Sequence, residues 1–253
     1  MTSQTNLFLK TARDLINDVA IDVGISADEV ADPFGANVDK QYKSLSRQLN
    51  IAIEELALVR AWEIFKREYS LTTDSATYAT GQYPLPTDFH YMIPQTHWDT
   101  SNDVPMGGPL SSQDWQYLKG RDLVSSTIYA SFRQQEGELH LWPEPPSDGL
   151  VISFEYASRN WVRNADDDAY IERCVDPSDT PLFPPVLLRA YLKAKWLASR
   201  GFETITAEQC VAQFESLTGG KDTGGPVLNL GRTRSRYPFL EAYRNLPDKG
   251  YGS

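Results

Sequence analysis

The chain has 253 residues, 41% of them hydrophobic and 23% charged, with a formal net charge of −10. That length and composition describe a globular protein of one or two domains, able to bury a core without metal or disulfide staples. The acidic balance argues against gripping nucleic-acid phosphates directly, and no apolar run approaches the roughly 20 residues that span a bilayer.

Cys174 and Cys210 lie far apart without CxxC spacing and are expected to be reduced, semi-buried thiols of a cytosolic protein, with a disulfide between them as the alternative. The opening "MTSQTNLFLKTARDL" carries polar and charged residues too early for a signal peptide.

The first helix is expected from Thr5 to Val23, where Phe8, Ala12, Leu15 and Val19 share a face and Gly24 supplies the stop. An acidic loop, "ISADEVADPFGANVDK", follows. The second helix is expected to run unbroken from Gln41 to Tyr69, about 40 Å at 1.5 Å per residue. Tyr42, Leu45, Leu49, Ala52, Leu56 and Val59 form its stripe, widened by Ile53, Ala57, Ile64 and Phe65.

Between Thr77 and Val162, Gly, Pro, Asp and Ser punctuate short runs of β-formers. Ile128–Gln134, Glu138–Trp142 and Leu150–Tyr156 read as consecutive antiparallel strands, the first two joined by a tight Glu136-Gly137 turn. A short helix, "SQDWQYLK", is capped by Ser111 or Ser112 and closed by Gly120.

Helical patterning returns after Pro184. Val186, Leu187, Tyr191, Ala194 and Ala198 share a face, and Gly201 ends that helix. Thr206 and Gln209 form a capping box before a last helix presenting Cys210, Phe214 and Leu217. After it the patterning fades into an expected extended arm.

The fold class is therefore α+β: a four-helix bundle (1–76 and 163–217), an inserted antiparallel β-module (77–162) and an extended C-terminal arm (218–253). The arm carries Lys221, Arg232, Arg234, Arg236, Arg244 and Lys249 against Asp222, Glu241 and Asp248, so it is +3 and the body is −13. Such an arm is expected either to dock on an acidic surface, such as that of a neighbouring copy, or to be a solvated, disordered terminus.

No catalytic constellation stands out. His90, His97 and His140 lack ligand spacing, His97 reading as part of a polar loop and His140 as a surface position. Asp166–Asp168 lacks the Gly and bidentate Glu of a calcium loop and reads as a solvated acidic turn, with weak cation binding left open. Glu136/Glu138 and Asp166/Glu172 are the kind of carboxylate pairs that any acidic chain offers. "GGKDTGG" lacks the P-loop pattern and reads as a hinge. Trp62 and Trp196 fall in expected helices; Trp98, Trp115, Trp142 and Trp161 fill the module's core or, alternatively, stack on sugars. No cofactor is indicated.

The ordered set "YPLPTDF" (Tyr83–Phe89), "GPLSSQDWQYLKG" (Gly108–Gly120), "LHLWPEPP" (Leu139–Pro146) and "FEYASRNWV" (Phe154–Val162) resembles the head-to-tail adaptors of tailed bacteriophages, the neck or head-completion proteins that include tail tubular protein A. The resemblance spans roughly Leu45 to Leu217. It implies a non-enzymatic virion protein of the neck, synthesised in the host bacterial cytoplasm. It implies a homo-oligomeric ring, of twelve copies as is usual, between the portal protein and the tail nozzle or tail tube. Double-stranded DNA would pass through without specific binding, and no membrane is involved. Arg232, Arg234, Arg236, Tyr237, Phe239, Leu240 and Tyr243 would form a portal-docking arm. Arg159 and Trp161 would hold the junction of module and helices or a subunit interface. The alternative is a glycan-acting virion protein, cell-wall-degrading or carbohydrate-binding.

Overall fold

The computed structural model describes residues 9–121, 131–143, 146–166 and 169–218. The expected positions in the arm, from Lys221 to Tyr251, lie outside them, as do Phe8, Ile128 and the "GGKDTGG" stretch. The described chain is α+β, with five α-helices and antiparallel sheets.

Helix α1 (Ala12–Asp22) opens where the Thr11 hydroxyl accepts the Asp14 N–H at 3.2 Å. It buries Ala12, Leu15 and Val19 as expected, and Gly24 closes it with φ +72°. The loop that follows is pinned to α1: Asn17 donates to the Val30 carbonyl at 3.0 Å and accepts the Val30 N–H at 3.1 Å.

Helix α2 (Lys40–Val59), capped by Asp39, is shorter than expected. The unbroken helix to Tyr69 does not form. Arg60 is extended (φ −158°, ψ 165°), Glu63–Phe65 makes one 3-10 turn, and strand β1 (Lys66–Thr72) begins at once. Trp62 supplies the reason. Its indole Nε1 donates to the Leu56 carbonyl at 2.8 Å, occupying an acceptor that another helical turn would have used. Arg60 then lies 3.9 Å over the Trp62 ring. Beyond Phe65 the period changes to two, and β1 pairs antiparallel with β8 (Val151–Ser158) from Lys66↔Ala157 to Thr72↔Val151.

The remaining strands are β2 (Gln82–Pro84), β3 (Phe89–Met92), β4 (Trp98–Asp99), β5 (Val104–Pro105), β6 (Ser131–Gln135), β7 (Glu138–Trp142), β9 (Val162–Arg163), β10 (Tyr170–Ile171) and β11 (Thr180–Pro181). Strand β8 is central to the largest sheet. One edge takes β1; the other is shared by β3 toward its C-terminus and β4 toward its N-terminus, with β5 outside β4. A second sheet has the order β2-β7-β6, and a third β10-β9-β11.

The expected run of three neighbouring strands thus splits. Glu136 (φ 55°) and Gly137 (φ 81°) form the tight β6–β7 turn. The next strand, β8, joins a different sheet, because β1 on one side and β3 with β4 on the other take both its edges. Helix α3 (Ser112–Arg121) begins at Ser111, whose hydroxyl accepts the Asp114 N–H and donates to the Asp114 carboxylate; Gly120 lies inside the helix rather than ending it. Before α3, Gly108 passes so close to β6 that a Cβ there would sit 2.6 Å from the Phe132 carbonyl.

Helices α4 (Pro185–Ser199) and α5 (Ala207–Thr218) are the last elements among the described residues. On α4, Leu187, Leu188, Tyr191, Leu192, Ala194 and Trp196 are buried, whereas Val186 and Ala198 are exposed. The buried face centres on the Leu188–Leu192–Trp196 row, one position round from the expected stripe. The capping box of α5 forms in both directions: the Thr206 N–H donates to Gln209 Oε1 at 3.0 Å and the Gln209 N–H to Thr206 Oγ1 at 3.3 Å.

Among the described residues, two hydrophobic cores result. One joins α1, α2, α4 and α5 with Trp62, Phe65, Trp161, Val162, Cys174 and Phe183. The other lies between the two larger sheets and includes Leu71, Tyr83, Phe132, Leu139, Leu141, Ile152, Phe154 and Tyr156.

Candidate functional site

The two cores meet where β8 ends and the chain returns to the helices, the stretch that contains Arg159 and Trp161. Trp161 is 5% exposed and belongs to the helical core, edge-on to His90 at 5.7 Å and 88°. Its carbonyl accepts the Leu182 N–H at 3.0 Å. Arg159 is exposed, and its backbone N–H donates to the Asp88 carbonyl at 2.8 Å.

The acid of this seam is Asp88, a residue that sequence reasoning did not single out. Its carboxylate accepts the Tyr156 hydroxyl at 2.9 Å and the Ser158 hydroxyl at 2.7 Å, and pairs with Arg67 at 3.0 Å. Burial pushes the Asp88 pKa up, but the Ser158 and Tyr156 hydrogen bonds and the Arg67 charge outweigh it and hold the carboxyl below its usual range. Tyr156, buried and donating to that carboxylate, is pushed up to about 12. Two of the quoted motifs therefore meet in space. The Asp of "YPLPTDF" is bound by the Tyr and Ser of "FEYASRNWV", and a signal was available in their shared polar residues flanked by aromatics.

The return segment is tied to the helices by two more clamps. Asn50 of α2 donates to the Cys174 carbonyl at 3.0 Å and accepts the Cys174 N–H at 2.9 Å. Asp179, wholly buried, accepts the Val175 and Asp176 N–H groups at 2.8 Å each, while its carbonyl accepts the Ala12 N–H at 2.7 Å.

None of this is reactive chemistry. Cys174 and Cys210 are both free and buried, and burial pushes each thiol up, away from the thiolate a nucleophile needs. His97 is not in a polar loop. It is 5% exposed, its ring 4.5 Å from Phe132 and 6.2 Å from Phe154, bridging the two sheets. Burial lowers its pKa, and Nε2 has no hydrogen-bond partner, so a neutral imidazole fills the core. His90 is lowered by burial first, with Glu54 opposing and Arg159 adding to the shift. His140 is half-buried on β7, edge-on to Trp115.

Among the described residues no cluster of three or more His, Cys, Asp or Glu could hold a metal. Asp166 turns its N–H onto the Asn164 side chain at 2.8 Å; Asp167 and Asp168 lie outside the described residues. Trp115, Trp142 and Trp161 are buried and Trp98 is half-buried, so these rings pack the protein and leave no flat platform for sugars. Among the described residues no helix is long and apolar enough to cross a membrane.

The helical body offers surfaces instead. Where α2 meets the start of α5, an open notch of about 370 Å³ is lined by Glu55, Leu58, Val59, Thr206, Ala207 and Glu208. Beside it the Tyr191 hydroxyl donates to Glu55, Lys195 pairs with Glu55 at 2.8 Å, and Arg60 pairs with Glu215. Burial raises the Glu55 pKa, but Lys195 and Tyr191 outweigh it, and the carboxyl stays ionised below its usual range.

A family model described as the SU10 adaptor protein matches residues 10–226. The match covers both cores and the seam between them. The search of curated proteins returned no match.

Proposed function

Because the chain belongs to the SU10 adaptor protein family, a family of phage head-to-tail adaptors, we propose that it is a structural component of the virion neck. It forms a homo-oligomeric ring, with twelve copies as the expected number, between the portal protein and the tail nozzle or tail tube. The ring continues the DNA channel. The helices form a bundle, and the β-rich segment projects from it as an insertion whose orientation the Asp88 seam holds.

The family match over residues 10–226 is the observation that carries this reading. Charge supports it: an acidic body of −13 lets DNA slide past rather than adhere. The absence of any activated nucleophile or metal cluster among the described residues is compatible with work that is assembly rather than catalysis. The basic arm, with Arg232, Arg234, Arg236, Tyr237, Phe239, Leu240 and Tyr243, reaches the portal; arginines and aromatics are the residues that carry most interface affinity.

Binding to purified portal rings tests the proposal. Intact protein is expected to bind and to appear in negative-stain images as a second ring beneath the portal. Protein lacking residues 219–253 is expected to lose affinity. Failure of intact protein to bind overturns the adaptor role, and unchanged affinity of the truncated chain overturns the role of the arm.

A further inference from the structure

The notch between α2 and α5 combines three features that the adaptor reading does not use. Leu58, in the last turn of α2, is 58% exposed and forms its apolar floor with the half-buried Val59. Glu208 stands exposed on its rim and makes no ion pair among the described residues. The notch lies at the start of α5, the helix whose far end carries the basic arm.

Chain length makes the return trip short. Helix α5 has 12 residues and is about 18 Å long. The 13 residues from Gly219 to Gly231 include Gly219, Gly220, Gly224, Gly225 and Gly231. A glycine-rich linker of that length has an end-to-end distance of about 20 Å, which matches the length of α5. The effective concentration of the arm at its own notch is then in the millimolar range, well above that of any other copy in dilute solution.

We propose that this notch is the docking site, in the free protein, for the chain's own segment Arg232–Tyr243. Phe239 and Leu240 seat on Leu58 and Val59, and the arginines face Glu208. Any partner that captures the arm must first displace it from this surface. The inference concerns the unassembled chain and does not depend on which partner follows.

Cross-linking of the full-length protein tests it. Leu58→Cys with Leu240→Cys is treated with a short bis-maleimide at micromolar protein. A control pair places the first cysteine on β1, as Thr72→Cys, an exposed position on the sheet. Native Cys174 and Cys210 are 2% and 3% exposed and stay unlabelled in folded protein. The expected product from the 58/240 pair migrates as a monomer and exceeds the control yield about fivefold. That excess is lost with Glu208→Arg, and also when about 0.5 M salt shortens the screening length to about 4 Å. The salt series uses the unaltered rim, so the charge contribution is tested even if Glu208→Arg perturbs α5. Equal yields from the two pairs, or a dimer-sized product showing the arm on a second copy, overturns the proposal.

Discussion

Replacing Asp88 with Ala removes the acceptor that holds β8 to the segment before β3. The carboxylate is 12% exposed and takes two hydroxyl donors, from Tyr156 at 2.9 Å and from Ser158 at 2.7 Å. A hydrogen bond to a charged group contributes about 1.5–3 kcal/mol net. The lower figure applies here, since both hydroxyls can rotate in search of other acceptors, and the two bonds together give about 3 kcal/mol. The Arg67 pair adds less than about 1 kcal/mol, because the guanidinium is 37% exposed and screened by water. The expected cost of Asp88→Ala is therefore about 3–4 kcal/mol, a fall in Tm of about 6–16 °C for a chain of this size. Urea unfolding followed by tryptophan fluorescence measures it, and the cycle with Tyr156→Phe should show a coupling of about 1 kcal/mol. The folded pKa of Asp88 lies below its ordinary 3.8. The stabilisation is accordingly present above about pH 4, is lost as pH falls through the lower folded value, and is absent from the Ala variant. A cost under about 1 kcal/mol, or no coupling with Tyr156, would refute the assignment of Asp88 as the clasp.

His97 gives a pH effect in a higher window. Its folded pKa is lowered by burial from 6.5, so the unfolded chain binds the extra proton first and stability falls as pH drops below about 6.5. His97→Phe should reduce the slope of urea midpoints between about pH 6.5 and 5, leaving the part that His90 supplies, and an unchanged slope there would exclude His97 as a source. Trp161→Ala and Arg159→Ala separate the two residues of the return segment. The first truncates a core side chain and is expected to cost about 3–5 kcal/mol; the second removes an exposed group and should stay within about 0.5 kcal/mol in the isolated chain. A loss of ring assembly by Arg159→Ala without loss of monomer stability would place Arg159 at a subunit contact, whereas normal assembly would remove it from that role. Gly108→Ala forces a Cβ to 2.6 Å from the Phe132 carbonyl and should cost about 2 kcal/mol or more by thermal unfolding, while Gly120→Ala, with open space around it, should be neutral or stabilising.

The elements that were legible in the sequence are those set by local chemistry. The Thr206/Gln209 box, the Gly24 stop and the Glu136-Gly137 turn each depend on residues within a few positions, and each forms where expected. The end of α2 was not legible. Ile64 and Phe65 continue the apolar period by coincidence, and what stops the helix is an indole folding back onto Leu56. The partners of β8 were hidden because pairing is a choice among edges far apart in sequence, and alternation alone cannot tell β1 from β7. His97 was misplaced for a related reason: its burial comes from Phe132 and Phe154, contributed by strands 35 and more residues away. At the seam, Trp161 was expected and Asp88 was not. An aromatic announces its own burial, whereas a short acid becomes structural only through partners that a one-dimensional reading separates.

Strand β8 leads into the helical core with only Arg159 and Asn160 between Ser158 and Trp161. Its ladder with β1 runs the full seven residues of that strand. Strand β1 leaves the helical core at the same end, with Phe65 in that core and Lys66 opposite Ala157, so a force between sheet and helices is carried by two covalent attachments lying side by side. The sheet therefore follows the helices as a stiff handle and not as a swinging one. Strain applied to the helices would then reach the sheet with little lost at the joint between them.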